Sequence, residues 1–146
     1  MSLEPWILLV EDTPDDEELA LLALDDAGVT NEIRVARDGV EALAALFDAH
    51  GGVHRPPAFV MLDLKLPKLD GFEVLTRIRR DERTRTLPVV ILSSSGLDSD
   101  VTRAYELGVN SFVSKPVEYS EYAAAIRQVG LYWVNLNRAP GKRESL

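Results

Sequence analysis

The chain contains no cysteine. That excludes a disulfide-stapled scaffold and any thiolate-ligated zinc or iron–sulfur centre. Histidine is scarce: the two present, His50 and His54, lie in a Gly/Pro-rich stretch and read as surface residues. No apolar run approaches the about 20 residues of a bilayer-spanning helix. The apolar stretch Trp6–Val10 has no basic segment before it, so it is not a signal peptide. The expected compartment is therefore the cytoplasm, with no membrane partner. Positive charge is also short, 16 Lys and Arg against 24 Asp and Glu, for a net charge of -8. The domain as a whole has no electrostatic reason to bind nucleic acid. One local exception is the cluster Arg77, Arg79, Arg80, Arg83 and Arg85, diluted by Asp81 and Glu82. It reads as a solvated helix end and loop, where basic groups suit the helix dipole. A docking surface for an acidic partner is the alternative.

A length of 146 residues suits one domain with one core. Apolar strand-like runs alternate with helix-like segments. The strand-like runs are Trp6–Val10, Ile33–Val35, Ala58–Leu62, Pro88–Leu92 and Ser111–Val113. The first helix starts at Thr13-Pro14 with a Thr cap, Pro at the first position and acids in the first turn. It stops near Gly28. The second runs from Val40 to Ala49 behind Asp38-Gly39, and the third from Phe72 to about Asp81 behind Gly71. Asp98 or Ser99 caps a fourth that ends at Gly108, and a fifth runs from Tyr119 toward Leu136. Residues 50–57 read as a loop, Ser93–Gly96 as a flexible polar loop, and the tail from Pro140 as polar and frayed. The expected architecture is an α/β (βα)5 fold, a doubly wound parallel sheet with right-handed crossovers. One domain spans 1–138, and 139–146 is the flexible tail.

Chemistry gathers where the strands end. After the first strand come Glu11 and Asp12, after the third Asp63, after the fourth Ser93, and after the fifth Lys115. Ligands bind at the carboxyl edge of open α/β sheets, so these groups should converge. Clustered carboxylates raise one another's pKa unless a cation neutralises them. Oxygen-only donors favour a hard ion, with Mg2+ first. A lysine and a hydroxyl nearby suit a phosphoryl group. Each piece alone has a plainer reading: an acid patch at a helix start for Glu11-Asp12, a capped turn for Asp63, a loop serine for Ser93, a surface turn for Lys115-Pro116. The joint pattern at separate strand ends is far more specific.

The chain resembles the receiver domain of two-component response regulators. Val10-Glu11-Asp12, Leu62-Asp63-Leu64-Lys65-Leu66-Pro67 with Asp70-Gly71, Pro88–Ser93 and Lys115-Pro116 carry the likeness, which covers residues 6 to about 130. It implies a flavodoxin-like strand order 2-1-3-4-5. Within that family, Val10–Asp16, the long loop before the third strand and the segment Gly130–Pro140 look like single-domain regulators encoded with bacteriophytochromes. Those relatives often have Asn where this chain has Thr13.

The resemblance implies roles. Asp63 is the phosphoacceptor and a phosphohistidine on a sensor histidine kinase, with a bacteriophytochrome as the candidate, is the donor. Asp12, Asp63 and the backbone carbonyl of Lys65 bind Mg2+, with Glu11 assisting. Lys115 contacts the phosphoryl group, through a Lys115-Pro116 bond expected to be cis. Ser93 is the switch hydroxyl and Phe112 the aromatic switch position, a weaker switch than Tyr because it lacks a hydroxyl; ordinary strand packing is the alternative for Phe112. Lys65 and Ser95 flank the hydrolytic water and tune the phosphoryl lifetime. The protein acts as a phosphoacceptor rather than a turnover enzyme.

With no effector segment expected after the fifth helix, output is expected through protein contact. Tyr122, Ile126, Val129, Trp133 and Leu136 recur at four- and three-residue steps, a coiled-coil-like seam suited to a homodimer. Folding of this segment over its own domain is the alternative. Two rival functions are weaker. A haloacid-dehalogenase-type hydrolase needs a second Asp two residues after the nucleophile, and position 65 is Lys. A pseudo-receiver scaffold conflicts with the intact Glu11, Asp12, Asp63, Ser93 and Lys115.

Overall fold

The structure, a computed structural model, describes residues 5–140. Five parallel strands form one sheet: β1 (Ile7–Val10), β2 (Ile33–Ala36), β3 (Phe59–Leu62), β4 (Val89–Ser93) and β5 (Ser111–Ser114), in the order β2-β1-β3-β4-β5. The expected (βα)5 plan and the strand order both hold. Between and after the strands run α1 (Pro14–Asp26), α2 (Gly39–Leu46), α3 (Gly71–Arg80), α4 (Asp98–Glu106) and α5 (Tyr119–Leu131).

Side chains alternate across the sheet, as the strand period of two requires. Leu8, Val10, Val60, Leu62, Val89 and Ile91 face a layer made by α2, α3 and α4. Ile7, Leu9, Phe59, Met61, Val90 and Leu92 face α1 and α5. The central strands β1, β3 and β4 are buried throughout, which is why they read as unbroken apolar runs. β2 at the edge is only half buried and alternates.

Helix starts place the loops of the carboxyl rim. Asp38 accepts a hydrogen bond from the Glu41 N–H (2.8 Å) and caps α2. Asp70, not Gly71, caps α3; Asp70 and Glu73 exchange bonds in a capping box. Gly71 is the first residue of the helix. A Cβ there would lie 2.4 Å from the Asp63 carbonyl oxygen, so this glycine lets α3 seat directly on the end of β3.

Several expectations need correction. Thr13 occupies the cap position of α1, but its side chain makes no cap bond; its N–H donates to Glu11 Oε2 (3.2 Å). Neither Asp98 nor Ser99 caps α4: Leu97 holds that position and Asp98 is already helical. α2 ends at Leu46 rather than Ala49, because Asp48 Oδ1 accepts from the N–H groups of His50 (2.9 Å) and Gly52 (2.7 Å) and folds the chain into a turn. Phe47 then bridges Val53 in antiparallel fashion. His50 and His54 are exposed there. The arginine cluster is not uniformly solvated. Arg79 is half-buried and donates to Gly108 O (2.8 Å), Leu87 O (2.7 Å) and Asn110 Oδ1 (2.8 Å).

The seam on the fifth helix also changes meaning. Tyr122 and Ile126 are buried, and Val129 and Trp133 pack against the same cluster. Trp133 stacks on Phe59 with centroids 6.3 Å apart. The four share one face because that face covers the chain's own sheet. Of the seam, only Leu136 stands out, 73% exposed, beside Leu131 and Tyr132, which are also exposed. Past Leu131 the helix continues as a π-helical turn, Tyr132–Leu136. Most of the tail expected to fray, residues 141–146, lies outside the described residues. Among the described residues no helix is long and apolar enough to cross a membrane.

Candidate functional site

β1, β3 and β5 end at the same rim. Register places Val10 beside Leu62, so Glu11 and Asp63 emerge from adjacent strands. Glu11, Asp12 and Asp63 each bring a carboxylate oxygen within 4.8 Å of the others. Glu11 and Asp63 are buried and Asp12 is exposed. This is an oxygen-only donor set, open on one side, of the kind that holds a hard divalent cation while leaving room for water or substrate oxygens.

Lys115 enters from the end of β5. Its ammonium donates to Glu11 Oε1 (2.9 Å), Asp63 Oδ2 (3.0 Å) and Asp16 Oδ2 (3.1 Å). Among the described residues every peptide bond is trans. The cis Lys115-Pro116 bond is thus not found, and the trans backbone already carries the ammonium to the carboxylates. Burial works against the charge on Lys115. The Glu11 hydrogen bond and the Asp63 and Glu11 charges outweigh it, so the net effect holds the ammonium above the ordinary lysine range. Glu11 is pushed up to about 7, chiefly by burial, which its bond and attraction to Lys115 only partly offset.

Ser93 ends β4 and is fully buried. Its Oγ accepts the Ser95 N–H (3.0 Å), while its carbonyl accepts the Lys115 N–H (2.7 Å). The loop after Ser93 is tied down, contrary to expectation: Ser95 is buried, donates to Asp100 Oδ2 (2.5 Å) and accepts from the Leu97 N–H (3.3 Å). Phe112 is half-buried and packs against the α2–α4 side of the core. Lys65 is exposed, and its N–H donates to Asp63 Oδ1 (3.3 Å).

The structure thus gathers Glu11, Asp12, Asp63 and Lys115 into one pocket, with Ser93 on the neighbouring strand end. Sequence reasoning missed Asp16, whose place in the first turn of α1 reads locally as one more dipole-suited acid. It also missed the role of Gly71 and the Ser95–Asp100 tie. In the sequence Tyr122 reads as a seam residue, yet Lys115 Nζ lies 5.8 Å from its ring centroid.

A family model described as the response regulator receiver domain matches residues 7–127. The chain is 43% identical over 135 residues to the probable methanogenesis regulatory protein FilR2 of Methanothrix harundinacea, covering 92% of this chain and 87% of the relative. Among solved structures it is similar to the bacteriophytochrome response regulator AtBRR, at 48% identity and a TM-score of 0.71, over 94% of this chain and 100% of that one. It is also similar to the phosphorylated cyanobacterial phytochrome response regulator RcpA, at 33% identity and a TM-score of 0.86, over 94% of this chain and 99% of that one.

Proposed function

The chain belongs to the response regulator receiver domain family, and on that footing we propose that Asp63 accepts a phosphoryl group from the phosphohistidine of a sensor kinase. The observation that carries this reading is the Lys115 ammonium, 3.0 Å from Asp63 Oδ2 and 2.9 Å from Glu11 Oε1, beside the acid cluster of Glu11, Asp12 and Asp63.

In the transfer, an Asp63 carboxylate oxygen forms the bond to phosphorus as the donor's P–N bond breaks, and the bonding electron pair stays with the imidazole. Lys115 donates to the phosphoryl oxygens as they arrive. The Ser93 hydroxyl, which at rest accepts from Ser95, turns its own proton toward the same oxygens. Asp12, Asp63 and the Lys65 carbonyl would hold Mg2+, with Glu11 assisting. When bound, Mg2+ offsets the charge of the phosphoryl group and of the carboxylate it approaches. Hydrolysis of the acyl phosphate by water resets the domain, with Lys65 and Ser95 set two residues past Asp63 and Ser93 to tune its lifetime. The domain acts as a self-resetting acceptor, not as an enzyme that turns over a separate substrate.

The added charge biases the Ser93–Asp98 loop, α4 and the Phe112 rotamer between two states. A bacteriophytochrome is the kinase class best supported, by the 48% identity to AtBRR and the likeness to RcpA. Self-association uses the exposed Leu131, Tyr132 and Leu136 rather than Trp133. Sedimentation of Leu136→Asp checks this: a wild-type dimer that becomes monomeric supports it, and an unchanged dimer excludes it.

Labelling with acetyl phosphate tests the main reading. Label should need Mg2+ and vanish in Asp63→Asn. Label that persists in that variant moves the acceptor elsewhere.

A further inference from the structure

Lys115 has three ammonium protons, and three carboxylates take them: Glu11 (2.9 Å), Asp63 (3.0 Å) and Asp16 (3.1 Å). No donor is left over. A phosphoryl group on Asp63 can therefore be held by Lys115 only if one present partner lets go. The three partners differ in what release would cost them. The Glu11 side chain is 2% exposed, and stranding its charge in the interior is expensive. Asp63, once acylated, hands its own Lys115 contact to the phosphoryl oxygens, so a second phosphoryl contact needs Glu11 or Asp16 to let go. The Asp16 side chain is 26% exposed, sits in the first turn of α1, and can turn to water. Asp16 also lies outside the Glu11, Asp12 and Asp63 cluster that could hold a cation.

We propose that Asp16 is a positioning residue that holds the Lys115 ammonium in the unphosphorylated state and competes with the phosphoryl group for it. Release of Asp16 from Lys115 accompanies phosphorylation and frees the first turn of α1. This rests on the phosphoacceptor reading of Asp63 but adds a residue that the reading does not require. The competition sets a threshold: the stronger the Asp16 grip, the weaker the phosphoryl state.

The test uses beryllofluoride as the phosphoryl mimic, titrated calorimetrically into the full chain with saturating Mg2+. Asp16→Asn keeps size and removes charge. It should bind beryllofluoride about fivefold more tightly, the scale expected for a partly exposed ion pair. Asp16→Asn would also lessen plain repulsion of an anion, so a cycle with Lys115→Met separates the two. In the Lys115→Met background the Asp16→Asn gain should disappear. A gain of the same size there means Asp16 acts as bulk charge, and the inference fails. It fails equally if Asp16→Asn alone leaves binding unchanged or weakens it while its thermal unfolding matches wild type. If Asp16→Asn also melts early, Asp16→Glu decides, since it keeps the charge and should restore wild-type binding. Absence of beryllofluoride binding by the wild type overturns the Asp63 reading instead, a separate outcome.

Discussion

Two basic side chains, Lys115 and Arg79, close the two ends of the same sheet, and they are held in opposite ways. At the carboxyl rim Lys115 sits among carboxylates, with Glu11, Asp16 and Asp63 on its three protons. At the amino rim Arg79 sits among neutral acceptors, the carbonyls of Gly108 and Leu87 and the amide oxygen of Asn110. Asn110 Oδ1 in turn accepts the Val89 N–H at the start of β4 (2.8 Å). The lower arrangement places three of the five guanidinium donors on neutral acceptors, with no carboxylate among them. The upper one gathers three carboxylates on one ammonium, and burial lifts Glu11 among them to about 7. Stability is built at one end, and charge is gathered at the other, where the proposed cation and phosphoryl group would sit.

Variants can break this contrast from either side. The largest expected effect is at the acceptor. Asp63→Asn should lose all label yet unfold at the same or a higher temperature than wild type without Mg2+, because it removes one of several crowded charges. A clear drop in its melting temperature would mean the rim is structural after all. Arg79→Met should do the reverse, costing about 2 kcal/mol in denaturant unfolding while keeping phosphodonor labelling. Mg2+ should raise the melting temperature of wild type and of Arg79→Met by mass action, and should not raise that of Asp12→Asn. Equal Mg2+ shifts in all three would place the cation elsewhere.

Smaller effects sharpen the picture near the pocket. Gly71→Ala forces a methyl group against the Asp63 carbonyl and the Leu64 Cα, and should cost about 1–3 kcal/mol in denaturant unfolding. It should also slow labelling, because α3 can no longer seat on the end of β3. Tyr122 has a buried hydroxyl with no hydrogen-bond partner among the described residues. Tyr122→Phe removes that oxygen and keeps the ring under Lys115. It should be neutral or stabilising by up to about 1 kcal/mol, which chemical denaturation can read. A loss beyond that would reveal a partner for the hydroxyl.

Much of this was legible in the sequence, for identifiable reasons. Buried parallel strands write themselves as apolar runs, and a polar residue that ends such a run must lie at a rim; that rule found Asp63 and Ser93, while Lys115 came from the strand–helix alternation that placed the half-buried β5. The same rule could not find Asp16. Its contact comes from the Lys115 side chain reaching back to the first turn of α1, between residues 99 apart in sequence, and acids at helix starts are common for local reasons. The seam on α5 failed for a related cause. A period of three and four residues marks a buried face but not what buries it, and here Phe59 and the rest of the sheet do so. Arg79 looked like its solvated neighbours because hydrogen bonding to distant carbonyls leaves no trace in local composition. Gly71 was visible as a helix start, but the tight approach to Asp63 that requires it emerges only in three dimensions.

The most direct test of the central claim is to trap the labelled protein with borohydride and map the modified residue by peptide mass spectrometry. The account predicts reduction of the acyl phosphate at Asp63, in protein labelled with Mg2+ and in none labelled without it. Reduction found at Asp12 or at Glu11 instead would contradict it.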